Sequence, residues 1–125
     1  EYYDEKRTNG SMICHYRNVA HEDPLSNLGI QDISASVDFS SLADVALQQN
    51  IEVGFFTSQS DFLINSEILG VIESVIDEGL KMKLTQEIKQ LLLPNQMGEI
   101  FKCMLLNKNF NPDNFDGIRD LRHTL

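Results

Sequence analysis

The sequence predicts an α/β fold, a mixed sheet of about four strands carrying three helices, and three observations lead there. Four short segments have the period-two or continuously apolar pattern of strands. A long stretch after Asp61 repeats its apolar residues at helical spacing. Two of the strands are apolar on both faces, as strands covered on two sides are.

Each element follows from its residues. Ser11–Arg17 alternates Met12, Cys14 and Tyr16 against Ile13, His15 and Arg17, so it reads as a strand. The next segment, NVAHEDPLSNLG, holds Pro24 and Gly29 among Asn, Asp and Ser and reads as a loop. Asp32–Asp38 alternates again, with Ile33, Ala35 and Val37 against Asp32, Ser34, Ser36 and Asp38. Ser41 with Asp44 predicts a capped helix start, Leu42, Val45 and Ala46 its apolar face, and Asn50 its end. Ile51–Thr57 is dense in β-branched and aromatic residues, and Gly54 within it marks a bulge or a close backbone approach.

Phe62, Leu69 and Ile76 predict one long helix from Asp61 to a stop at Gly79. Leu84, Ile88, Leu91 and Leu92 predict a second one closed by Pro94. In Glu99–Asn107, Phe101, Cys103 and Leu105 oppose Ile100, Met104 and Leu106, the signature of a central strand. Such strands need more layers than these helices supply, and polar Glu1–Arg7 reads as a chain joined partway into a larger fold.

Composition narrows the function. The 125 residues carry 19 acidic and 10 basic side chains, a formal charge of −9 that repels phosphate backbones and anionic lipid heads. The expectation is therefore no nucleic acid and no membrane partner. No apolar run approaches the roughly 20 residues of a membrane span. Cys14 and Cys103 lie in apolar segments without CxxC spacing and read as reduced core thiols, which points weakly to a cytoplasmic setting.

The chemical motifs are sparse. No GxSxG, GxGxxG or lysine-bearing phosphate loop occurs. His15, His21, Glu22 and Asp23 match no metal-ligand spacing, His123 reads as a surface residue, and Asp113, Asp116 and Gly117 form a turn that lacks the oxygen ladder of a calcium loop. Asp32 and Asp38, six residues apart on a strand, would lie roughly 20 Å from each other at about 3.3 Å per residue. Paired carboxylates of glycosidases work at about 5 to 9.5 Å, so that chemistry is excluded for a continuous strand. A helix-start role for Asp38 and a loop-end role for Asp32 are the plainer readings.

Taken in order, SMICHYRNVAHEDPL, GIQDISASVDFSSLADVA, GFFTSQSDFL and LLLPNQMGEIFKCMLLNK resemble the C-terminal part of MidA-like methyltransferases, relatives of the mitochondrial complex I assembly methyltransferase. The closing RDLRHTL resembles the end of bacterial members. The resemblance implies the C-terminal portion of a Rossmann-like class I fold plus a family-specific insertion, spanning 1–125. It also implies S-adenosylmethionine as cofactor of the full-length parent, with the cofactor-binding half upstream and no cofactor held by this chain alone.

By the same resemblance the parent methylates a protein, an arginine of a respiratory complex I subunit in eukaryotic relatives, and would work in the cytoplasm or the mitochondrial matrix. Oligomeric state is left open. Tyr16, Arg17, His21 and Gln31 match substrate-side positions, and Asp32 and then Asp38 are the candidate catalytic carboxylates. Met97, Gly98, Glu99 and Phe101 match the turn into the last strand. One departure stands out: many members read DITAHVDF where this chain has DISASVDF, with Ser36 in place of histidine. The rival reading is a stand-alone acidic protein-interaction module without catalysis.

Overall fold

The computed structural model describes residues 10–110 and 117–125. The Glu1–Arg7 segment and the Asp113 and Asp116 turn lie outside the described residues. The chain divides into two units, Glu1–Ser41 and Leu42–Leu125.

The first unit is a three-stranded antiparallel sheet of β1 (Ile13–Tyr16), β2 (Val19–His21) and β3 (Asp32–Ser34), in the order β2-β1-β3. Strand β2 replaces part of the loop expected there. Its hairpin turns on two residues, Arg17 at φ 50° and Asn18 at φ 63°, both left-handed as a type I′ turn requires. Such turns are usually announced by Asn-Gly, and Arg-Asn gives a much weaker signal. The strand expected to reach Asp38 ends at Ser34. Beyond it the Ser36 amide donates to the Ser11 hydroxyl at 3.1 Å.

Helix α1 (Phe39–Gln48) begins within this unit, and its start differs from the expected Ser41–Asp44 cap. The Asp38 carboxylate accepts from the Ser41 amide at 2.9 Å and from the Ser41 hydroxyl at 2.7 Å. A carboxylate there pairs an amide that the helix leaves open and faces the positive end of the dipole.

The second unit is built on β4 (Glu52–Ser58) and β5 (Lys102–Asn107), an antiparallel pair. The bulge foreseen at Gly54 is present, as a register shift between Val53 and Phe55. A Cβ on Gly54 would come within 2.7 Å of Asn107 Oδ1 and 3.0 Å of Leu105 Cδ2, so any larger residue here must push those two side chains aside. The expected single mixed sheet is thus, among the described residues, two antiparallel sheets: sequence alternation marks strands but does not tell which of them pair.

The long helix predicted after Asp61 is broken. Helix α2 (Gln59–Asn65) ends at Ser66, Glu67 takes a left-handed φ of 59°, and α3 (Ile68–Glu73) follows. Apolar spacing runs on across the break, which hid it, yet Ile76 is 95% exposed and belongs to no helix face. Gly79 is not a stop; it lies in the first turn of α4 (Glu78–Leu92), where Asp77 Oδ1 caps the Leu80 amide at 2.6 Å. Pro94 follows the end of α4 as foreseen, and the stripe of Leu84, Ile88, Leu91 and Leu92 is half-buried.

The core of this unit sits on β4. Phe55, Phe56, Thr57 and Ser58 are consecutively buried, and the Phe55 ring stacks tilted against Phe62 at 6.1 Å between centroids. Ser58 caps α2 by accepting from the Asp61 amide, and its hydroxyl also donates to Asp61 Oδ2 at 2.7 Å. The Ser60 amide donates to Gly98 O at 3.0 Å. A Cβ on buried Gly98 would land on the Leu92 carbonyl, so the turn into β5 demands glycine.

The tail closes the outer edge of β4. Leu121 N–H donates to Phe56 O at 2.6 Å, Thr57 Oγ1 to Arg119 O at 2.7 Å, and Arg122 Nη1 to Val53 O at 2.8 Å. A 3-10 turn, Arg122–Thr124, ends the chain.

Candidate functional site

The six residues singled out from the sequence all fall in the first unit, and its sheet register sorts them. Cys14 pairs with His21 on one side and with Ile33 on the other, so these three share a face; Tyr16, opposite Val19, lies on it too. His15 pairs with Ala20 and Asp32, which share the opposite face. The Cys14 face is the covered one, because Cys14 is fully buried and His21 and Tyr16 are half-buried. The Asp32 face is open, with His15, Ala20 and Ser34 all exposed.

Each side chain has a distinct place. The Arg17 guanidinium lies over the Tyr16 ring, 5.3 Å from its centroid, at the hairpin tip. Its left-handed backbone, which the two-residue hairpin turn imposes, costs a residue with a Cβ about 1 kcal/mol. Gln31 Nε2 donates to Pro24 O at 2.6 Å and ties down the loop after β2, while Gln31 Oε1 and His21 Nε2 are buried and have no partner among the described residues. Asp38 is engaged in capping α1. Asp32, in contrast, is exposed, and among the described residues its carboxylate has no hydrogen bond or ion pair.

The structure therefore brings Tyr16, Arg17 and His21 to one hairpin and sets Asp32 on the sheet's other face, next to His15. Sequence spacing excludes His15 as a metal ligand and shows nothing of its place beside Asp32, because that neighbour is fixed by antiparallel pairing, which no local pattern reports. Among the described residues no cluster of His, Cys, Asp and Glu could hold a metal ion. Both cysteines are free, and burial pushes the Cys103 thiol up, away from the reactive thiolate form. No helix among the described residues is long and apolar enough to cross a membrane.

Residues 1–57 match the family model described as "Putative S-adenosyl-L-methionine-dependent methyltransferase". Two solved structures from Burkholderia thailandensis, of one superfamily, resemble almost the whole chain. One, an uncharacterised protein, is 32% identical with a TM-score of 0.87 over 99% of this chain and 34% of its own. The other, described as a "likely methyl transferase" bound to S-adenosyl-homocysteine, is 32% identical with a TM-score of 0.84 over 99% of this chain and 33% of its own. The chain thus spans about a third of the length of the solved structures it matches. No curated protein matches it.

The described residues do not fit the methyl donor. A cradle for such a cofactor needs a glycine-rich turn between a strand and a helix, where free amides meet the ligand. The β3–α1 junction is Ala35–Asp38 and the β4–α2 junction is Ser58 itself; neither contains a glycine, and both caps are filled by side chains.

Proposed function

We propose that this chain is the substrate-side portion of an S-adenosylmethionine-dependent methyltransferase, C-terminal in the parent, and that the parent modifies an arginine of a protein. The observation that carries the reading is the likeness, at 32% identity and over 99% of the chain, to about a third of a structure bound to S-adenosyl-homocysteine. The match of residues 1–57 to a methyltransferase family model supports it. The cofactor cradle belongs to the rest of the parent, and the chain alone does not catalyse.

Asp32 has the leading role in this reading. An exposed carboxylate without partners can take two parallel N–H bonds from a guanidinium, fixing the plane of the group and leaving one nitrogen directed at its reaction partner. His15 beside it can accept a further proton or hydrogen bond from the same group. Tyr16 and Arg17 at the hairpin tip offer an aromatic and a cationic surface to the polypeptide around the arginine. Asp38 contributes by fixing α1, and Ser36 leaves without an imidazole the position where many relatives carry one.

In the full-length parent, Asp32→Asn is expected to lower kcat/KM at least tenfold, about 1.4 kcal/mol of transition-state stabilisation, with little change in Tm because the carboxylate holds nothing in the fold. A large fall in Tm with normal turnover would make Asp32 structural and remove it from the site.

A further inference from the structure

The stretch from Asp32 to Val37 alternates polar and apolar residues as a strand does, yet neither of its sides is covered. Ile33 is 56% exposed and Val37 52%, and Asp32, Ser34, Ala35 and Ser36 are exposed too. An alternating segment of this kind ordinarily buries its apolar side.

Its backbone is open along one edge as well. In a two-residue hairpin the pair that flanks the turn, here Tyr16 and Val19, exchanges both hydrogen bonds, so the N–H and C=O of Tyr16 and Cys14 point towards β2. Those of His15 and Ile13 then point the other way, towards Asp32 and Ser34 of β3. Ile33, one residue out of step with these, directs its N–H and C=O outward. The bond from the Ser36 amide to the Ser11 hydroxyl keeps the same phase beyond the end of β3, which turns the backbone groups of Ala35 outward too. Among the described residues none of these outward groups of Ile33 and Ala35 has a partner.

An open edge pairs with an extended polypeptide, main-chain bonds giving affinity and alternate side chains selectivity. In antiparallel addition, a residue opposite Asp32 falls in a non-hydrogen-bonded pair, where Cα atoms are about 4.5 Å apart and side chains lie closest. Its side chain stands on the open face with the Asp32 carboxylate, which has no hydrogen bond or ion pair among the described residues. The residues before and after it stand on the other face, one of them against exposed Ile33. The edge therefore suits a cationic residue set between two apolar ones.

We propose that the outer edge of β3 takes up the protein substrate as an added antiparallel strand, with its arginine opposite Asp32, an apolar residue opposite Ile33, and backbone bonds to Ile33 and Ala35. Charge selects this occupant: a chain of net charge −9 with an unpaired carboxylate beside the edge favours a cationic segment. The inference rests on the reading of Asp32 as the guanidinium-binding residue and adds the conformation and the neighbours of the arginine.

Amide hydrogen exchange in the full-length parent tests it, with the end-blocked peptide Thr-Val-Thr-Val-Arg-Val-Thr-Val-Thr as probe. At about 1 mM peptide the Ile33 and Ala35 amides are expected to exchange at least about tenfold more slowly than without it. N-methylation of the two valines that flank the arginine removes donors aimed at β3 and is expected to abolish that protection. N-methylation of the two threonines beyond them, whose amides face away, is expected to leave it. No protection, or equal effects of the two modifications, overturns the inference. Slow exchange of Ile33 and Ala35 before any peptide is added would show that the parent itself covers the edge, and overturns it too. Methyl transfer from S-adenosylmethionine to the peptide is followed separately. Edge protection without transfer removes the arginine-methylation reading and leaves the edge as a binding site, whereas transfer without edge protection keeps that reading and overturns this one.

Discussion

The two units of this chain bury their residues in opposite ways. In the first, a three-stranded sheet, Cys14 is the one buried apolar residue described, and Val19 and Ile33 are 65% and 56% exposed. In the second, β4 alone buries four residues in a row, and Gly98 lies so close to the Leu92 backbone that no Cβ fits. The lesson is a division of labour. The second unit fixes geometry through packing, whereas the first presents side chains from a thin, register-controlled sheet, and that is where all six candidate residues lie.

The contrast can be broken most sharply at the cores. Phe55→Ala is expected to cost about 3 to 5 kcal/mol, since a buried ring in contact with Phe62 is lost, whereas Ile33→Ala, at a side chain 56% exposed, should cost under about 1 kcal/mol. Urea denaturation of both variants checks this, and equal losses would erase the distinction between the units. A smaller effect is expected at the bulge: Gly54→Ala forces Asn107 and Leu105 aside and should cost about 1 to 3 kcal/mol, while Asn107→Ala in the same background should recover part of it.

The smallest effect concerns the tail. Burial would raise the Asp120 carboxyl, but hydrogen bonds from the Arg122 side chain and amide and from the Phe56 amide, with the Arg122 charge, outweigh it and hold the group below the ordinary carboxylate range. A carboxyl lowered on folding adds stability above its unfolded value of about 3.9, and that stability is lost as pH falls from there through the folded value. The wild-type chain should therefore lose stability below about pH 4 more steeply than Asp120→Asn. Because the pair is partly exposed, the difference should be modest and should shrink at high salt. Parallel acid titrations followed by circular dichroism would register it.

How much of this was legible in the sequence differs between the units for the same physical reason. The strands around Cys14, Phe55 and Cys103, the Gly54 bulge and the end of α4 before Pro94 are local, and their residues report them. The Arg17–Asn18 turn lacked the glycine that usually marks its type, so β2 was missed. The break at Glu67 lay inside an unbroken apolar rhythm. Which face Asp32 shares with His15, and the closing of β4 by Arg119–Arg122, depend on pairings between distant residues, and periodicity is silent on those. The candidate residues were picked out by family resemblance; their separation onto two faces came only with the register.

We propose that the methyl-donor cradle lies in the rest of the parent protein. Isothermal titration calorimetry of the 125-residue protein with S-adenosyl-homocysteine tests it most directly. No measurable binding is expected, and a saturable micromolar affinity would place a cradle within these residues.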